Sequence, residues 1–143
     1  MQKIQFYNFD RKPVLKNRKK LKLFIEKLFA SEKKMIGKLA FIFCSDEHLL
    51  SINKKFLKHD FYTDVITFDL SPSENETEGE VYLSVDRMRE NANQAGVSFN
   101  DEAHRVIFHG ALHLCGYRDK LKTDILIMRT KEEAYLKSYF SQV

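Results

Sequence analysis

Apolar residues follow two spacings along this chain, and each switch between them marks an element boundary. Residues 3–9 alternate polar and apolar, the period of a strand with one covered face. Pro13 separates them from a stretch over 15–31 in which Leu21, Phe24, Ile25, Leu28 and Phe29 recur at helical intervals. Lys38–Cys44 is alternating and rich in β-formers, and Ser45 then stands where it can cap a helix over Asp46–Phe56 that buries Leu49, Leu50 and Ile52. Val65–Leu70 and Glu80–Val85 read as a third and a fourth strand, joined by the polar run Ser71–Gly79, whose composition marks an exposed loop. Asp86 is placed to cap a helix ending near Gly96, Ser98 or Asn100 to cap the next, and a last helix covers about residues 123–140.

The order is βαβαββααα. It predicts an α/β (α+β) fold over residues 1–143 as a single domain: a four-stranded mixed sheet packed with about five helices, right-handed in its βα crossovers, the fourth helix central and largely buried. A chain of 143 residues that is 43% hydrophobic, with 12 Phe and 6 Tyr, can bury a core without staples. No apolar run approaches the ~18 residues of a membrane span, and no secretory leader pattern follows Met1, so the expectation is a cytoplasmic monomer that touches no membrane. Cys44 and Cys115 fit no C-x-x-C pattern and read as buried thiols.

Charge is unevenly spread. Arg11–Lys27 holds eight basic residues against one acid, Glu26, while Glu74, Glu76, Glu78 and Glu80 crowd a later loop. The basic run suits a phosphate backbone and equally suits an ordinary solvated helix face.

The chemistry sits in the stretch His109–Asp119, HGALHLCGYRD. Its two histidines stand four apart on a helical stretch, so they project from nearly one face, one turn apart, a geometry that chelates a metal. Val106, Ile107, Ala111, Leu112, Leu114 and Cys115 make this helix largely apolar, company in which unpaired imidazoles are uncommon. Gly116 breaks the helix as a C′ residue, and the chain can return so that Asp119 becomes the third ligand, with Asp124 as a substitute. Three protein ligands leave one position for water, and Zn²⁺ lowers the pKa of such a water from about 15.7 toward ~7. A zinc peptidase would need Glu directly after the first histidine as general base; Gly110 stands there instead. His48 and His104 occupy helical positions with no chelating companion and read as structural.

This stretch resembles the signature of the YbeY family of rRNA maturation factors, H-G-x-L-H-L-x-G-Y-D-H, from His109 through Tyr117. Arg118 stands where that family has Asp, and Asp119 where it has a third His. Ile52-Asn53-Lys54-Lys55-Phe56, then Asp60 and Thr63–Phe68, resemble its L-N-x-x-[YF]-R-x-x-D-x-P-T-D-V-L-S-F block, and Gly79–Ser84, with Asp86 and Asn91-Ala92, its G-D-I-x-I-S strand and following helix. The resemblance implies a zinc-dependent, single-strand-specific endoribonuclease acting in rRNA processing, with single-stranded rRNA and the ribosomal small subunit as partners. It places His109, His113 and Asp119 at one zinc ion and at the catalytic centre. A carboxylate in place of the third imidazole also admits Ni²⁺, Fe²⁺ or Mn²⁺.

His59 lies in the polar loop before Thr63-Asp64, where it can donate a proton to a leaving 5′ oxygen, and Thr63, Asp64 and Ser84 can line the groove. The family arginine that follows the aromatic of its N-x-x-[YF] segment is Leu57 here, which leaves Lys58, His59 or Arg118 to supply a positive charge. Leu57 also favours the alternative: a non-catalytic RNA-binding or ribosome-assembly factor in which a structural metal staples the Gly116–Asp119 turn.

Overall fold

The chain's β-branched and aromatic runs form four strands in a computed structural model that describes residues 3–141. They are β1 (Ile4–Asn8), β2 (Ile36–Cys44), β3 (Val65–Asp69) and β4 (Thr77–Ser84), and the helices are α1 (Arg18–Ser31), α2 (Asp46–Leu57), α3 (Val85–Ala95), α4 (Phe99–Leu114) and α5 (Lys122–Ser141). The element order matches the one read from the sequence. The sheet runs β1-β2-β4-β3, with β1, β2 and β4 parallel and β3 antiparallel to β4.

Alternation along the strands gives the sheet two covered faces. Leu39, Phe41, Phe43, Val81 and Leu83 enter the main core with Phe24, Ile25, Leu28 and Phe29 of α1 and Val106, Ile107, Phe108 and Ala111 of α4. Ile66 points the other way with Cys44, and α2 covers them through Leu49 and Ile52. Both thiols are buried and unlinked.

Several boundaries move for identifiable reasons. α1 begins at Arg18, where Asn17 in the left-handed region accepts the Lys20 amide on its side chain at 3.1 Å. β4 starts at Thr77, inside the acid-rich run read as loop, because β2 extends back to Ile36 and offers backbone partners there regardless of side-chain polarity. Asp86 is not the cap of α3: Ser84 is, its Oγ accepting the Arg87 amide at 3.0 Å, while Asp86 accepts from the Asp46 amide and from Arg11. Ser98, not Asn100, caps α4.

α4 is central as expected, and two glycines seat it. A Cβ on Gly110 would stand 2.6 Å from Val81 Cγ1, and one on Gly79 2.7 Å from Leu114 Cδ2. Each glycine thus lets one side chain of the facing element, Val81 or Leu114, fill the space its own Cβ would take, and the helix packs tightly on the strand at the turns that carry the histidines. Gly110→Ala gains about 1 kcal/mol of helix propensity. It meets a clash with a β-branched side chain that has no easy escape, an overpacking cost of about 1–3 kcal/mol. The clash wins: Gly110→Ala is expected to lower unfolding free energy by about 1 kcal/mol in urea denaturation, and a gain in stability would show that the contact can relax.

Candidate metal centre

The end of α4 builds the site from the backbone outward. Gly116, at φ +106°, lets the helix close with the Gly116 amide donating to the His113 carbonyl at 3.0 Å and the Tyr117 amide to the Leu112 carbonyl at 3.1 Å. That closure turns the Tyr117 carbonyl toward His113 Nδ1, 2.9 Å away, and brings Asp119 back over the helix.

On the neighbouring turn, His109 Nδ1 lies 2.6 Å from Glu132 Oε2, a carboxylate of α5 that is 1% exposed. A carbonyl and an ionised carboxylate only accept, so Nδ1 carries the hydrogen in both rings. In the neutral imidazoles each Nε2 is then a bare lone pair. The two Nε2 atoms stand 3.1 Å apart, and Asp119 Oδ2 is 3.2 Å from that of His113 and 3.3 Å from that of His109.

Three electron-rich atoms facing one another at this spacing call for a cation between them. A tetrahedral ion with ligands at ~2.0–2.1 Å sets neighbouring donors about 3.3 Å apart, so the triangle is of the size that would hold such an ion. Among the described residues these three form the group that could hold a metal; Asp124 is not part of it, nor is Cys115, whose buried thiol is pushed up to about 12.

Behind the histidines lies a charge network that the sequence reading missed. Arg105 binds Glu102 with two nitrogens at 3.0 and 2.5 Å, reaches Glu132 at 2.8 Å and approaches Asp64 at 3.8 Å. Burial alone would raise the Glu132 carboxyl, but the His109 hydrogen bond and Arg105 outweigh it, and its pKa falls below the usual value. Glu132 shares the covered stripe of α5 with Met128 and Tyr139, so a carboxylate on an apolar helix stripe was the available signal.

Two cavities meet at the group and share Asp64, His109 and Asp119. One, of about 280 Å³, is lined further by Arg105, Arg129, Glu132 and Ile125; the other, of about 400 Å³, by Leu57, His59, Phe61, Thr63 and Lys120. His59, Thr63 and Asp64 therefore border the cleft as expected, whereas Ser84 caps α3 and bonds Asp46. Lys58 and Arg118 do not line either cavity; Lys58 ends α2 in the left-handed region. His48 stacks on Phe9, and the buried His104 bonds the Asn100 carbonyl, both structural.

The family model described as endoribonuclease YbeY matches residues 5–140. This chain belongs to the YbeY family. A Cytophaga hutchinsonii relative named endoribonuclease YbeY is 43% identical over 133 residues, 93% of each chain. One from Flavobacterium psychrophilum with the same name is 46% identical over 115 residues, 80% of this chain and 81% of its own. The solution structure of TM1509 from Thermotoga maritima aligns with a TM-score of 0.61 at 27% identity, covering 96% of this chain and 89% of that one. The similarity read from the sequence between about Phe41 and Tyr117 thus extends over almost the whole YbeY-family chain.

Two predictions follow from the electrostatics of the site. Burial is the largest influence on Asp64 and raises its pKa, with Arg105 and His109 opposing. A carboxyl raised on folding binds more protons folded than unfolded, so stability falls as pH rises from the unfolded value near 3.8 through the folded one. The ionised group therefore destabilises the metal-free protein at neutral pH. Asp64→Asn should raise its melting temperature at pH 7 by about 2–6 °C and have little effect at pH 3; equal effects at both pH values would contradict this. Glu132→Gln replaces the charged acceptor behind His109, and zinc affinity, read by chelator competition, should drop about 10–100-fold. Unchanged affinity would show that Glu132 does not hold the imidazole for the metal.

Proposed function

We propose that this YbeY-family chain is a metal-dependent endoribonuclease that cuts single-stranded RNA in rRNA processing and ribosome maturation, working in the cytoplasm at the ribosomal small subunit. The observation that carries the proposal is the triangle of two imidazole nitrogens and one carboxylate oxygen, 3.1–3.3 Å on a side, set at the junction of two cavities. The relatives' name supplies the reaction class.

His109, His113 and Asp119 are the residues that would hold the ion, with zinc the metal their donor set favours and Ni²⁺, Fe²⁺ or Mn²⁺ the alternatives. Once bound, a divalent cation supplies Lewis acidity and makes hydroxide accessible near neutral pH. Glu132 and the Tyr117 carbonyl fix both rings in the tautomer that points Nε2 inward. His59 is the proton donor assigned to the leaving 5′ oxygen. Its loop is pinned at both ends by the buried Asn53, whose carbonyl accepts the His59 amide at 3.1 Å and whose amide donates to the Phe61 carbonyl at 2.9 Å.

Leu57 keeps one other reading in play: RNA binding without cleavage, the ion serving only to tie the Asp119 turn to α4. Cleavage separates the two. Zinc-loaded wild type should cut a single-stranded RNA and spare its duplex form, with a chelator, His113→Ala or Asp119→Ala each reducing the rate at least ~100-fold. A wild-type rate no higher than that of the variants removes the nuclease reading.

A further inference from the structure

With the usual arginine position occupied by Leu57, the RNA needs other holds, and ion pairing sorts the cations that could provide them. Arg105 is nearest in kind but is committed to Glu102 and Glu132 and lies 3.8 Å from Asp64. Arg87 is held by Asp46, Arg11 by Asp86, Lys54 by Asp60 and Lys131 by Glu32. Arg18 and Lys20 of the basic run lean on Phe6, Phe43 and Tyr139. Two cations remain that border the cavities with no ion pair among the described residues: Arg129 of α5 in one and Lys120 in the other.

The Lys120 side also carries aromatic surface. His59 and Phe61 stack with centroids 5.0 Å apart and planes 21° from parallel, and Phe61 is 55% exposed although Asn53 fixes its backbone. An ordered aromatic ring left open beside a polar cleft offers what unpaired bases use, a flat apolar face reached without breaking a duplex. The cavity it borders is mixed, with Leu57, Val65 and Ile66 beside Thr63, Asp64, His113 and Lys120, so the ring adjoins both an apolar surface for a base and polar groups that can meet the sugar and phosphate.

Resting on the nuclease reading above, we propose that one RNA strand crosses the His109–His113–Asp119 group with a backbone phosphate on Arg129 at one flank and an unpaired base stacked on the His59–Phe61 pair at the other. The two cavities that share His109 and Asp119 are the two halves of this path, and Lys120 screens the backbone on the base-stacking side. A duplex cannot follow it, because its bases are not free to stack on protein.

The test is fluorescence anisotropy of a short oligothymidylate on the zinc-loaded full chain across a salt series, together with steady-state cleavage of the matching oligouridylate. Phe61→Ala should weaken binding about ten-fold and raise KM at unchanged zinc content, and Phe61→Trp should restore both. The effect of Phe61→Ala should vanish on an abasic strand. Arg129→Gln should weaken binding to both strands and reduce the salt slope by ~0.7, the value for one phosphate on a single strand. Wild-type affinity and salt slope in both variants overturns the path. So does a Phe61→Ala effect confined to the pH profile of kcat, which would make Phe61 a support for His59 alone. The expected binding pattern upholds the path even where zinc-loaded wild type leaves RNA intact, a result that removes only the nuclease reading.

Discussion

The site depends on how closely α4 lies on β4. Gly110 packs on the Val81 side chain and Gly79 on that of Leu114, leaving no room for a Cβ at either glycine, so the histidine-bearing turns are seated tightly on the strand. The same residue explains two features at once. Gly110 removes the carboxylate that a peptidase would need and allows the approach that sets the height of His109 above the sheet. From that seat the helix end closes through Gly116, and both imidazoles acquire an acceptor behind Nδ1.

Element type was legible wherever one physical term dominated. The strict spacing of Leu21, Phe24, Ile25, Leu28 and Phe29, and the alternation through Phe41 and Phe43, left one period each, and the mixed sheet with its five helices followed from the order. Boundaries were less legible where partners decide. Thr77–Gly79 looks like loop by composition and is strand because β2 pairs with it, with β3 joining at Gly79. Asp86 looks like a cap because it precedes a helical pattern. Strand pairing, however, carries β4 as far as Ser84, and the hydroxyl at the junction takes the capping role. At the site, His109, His113 and Asp119 were legible from local spacing, since the helix and one glycine turn bring them together. Glu132 and Arg105 were not, because 23 residues separate Glu132 from His109 and only the packing of α5 on α4 joins them.

That packing gives the site its rigidity and its asymmetry. Glu132 serves two masters, accepting from His109 and from Arg105, while Arg105 also spans to Glu102 on its own helix. Each group thereby satisfies a neighbour that would otherwise be buried without a partner, and burial strengthens the links among them. His113 is braced differently, by a backbone carbonyl on the outer turn, and is the more exposed of the pair. One imidazole is thus fixed by tertiary structure and the other by the turn that also delivers Asp119.

The charge balance of the centre argues for how RNA approaches it. With the imidazoles neutral, Asp119, Glu132, Glu102 and Asp64 set four negative charges against the single positive charge of Arg105. A divalent cation leaves the centre still slightly negative, so the metal site alone does not draw in a polyanion. On the proposed strand path attraction comes from the two cavities, where Arg129 lines one and Lys120 the other, and together they turn the local sum positive once an ion is bound. On the proposed function this balance would couple metal loading to RNA binding: without an ion the carboxylates of the centre would repel a polyanion, and with one bound that repulsion is largely cancelled and the cations of the two cavities can hold the strand.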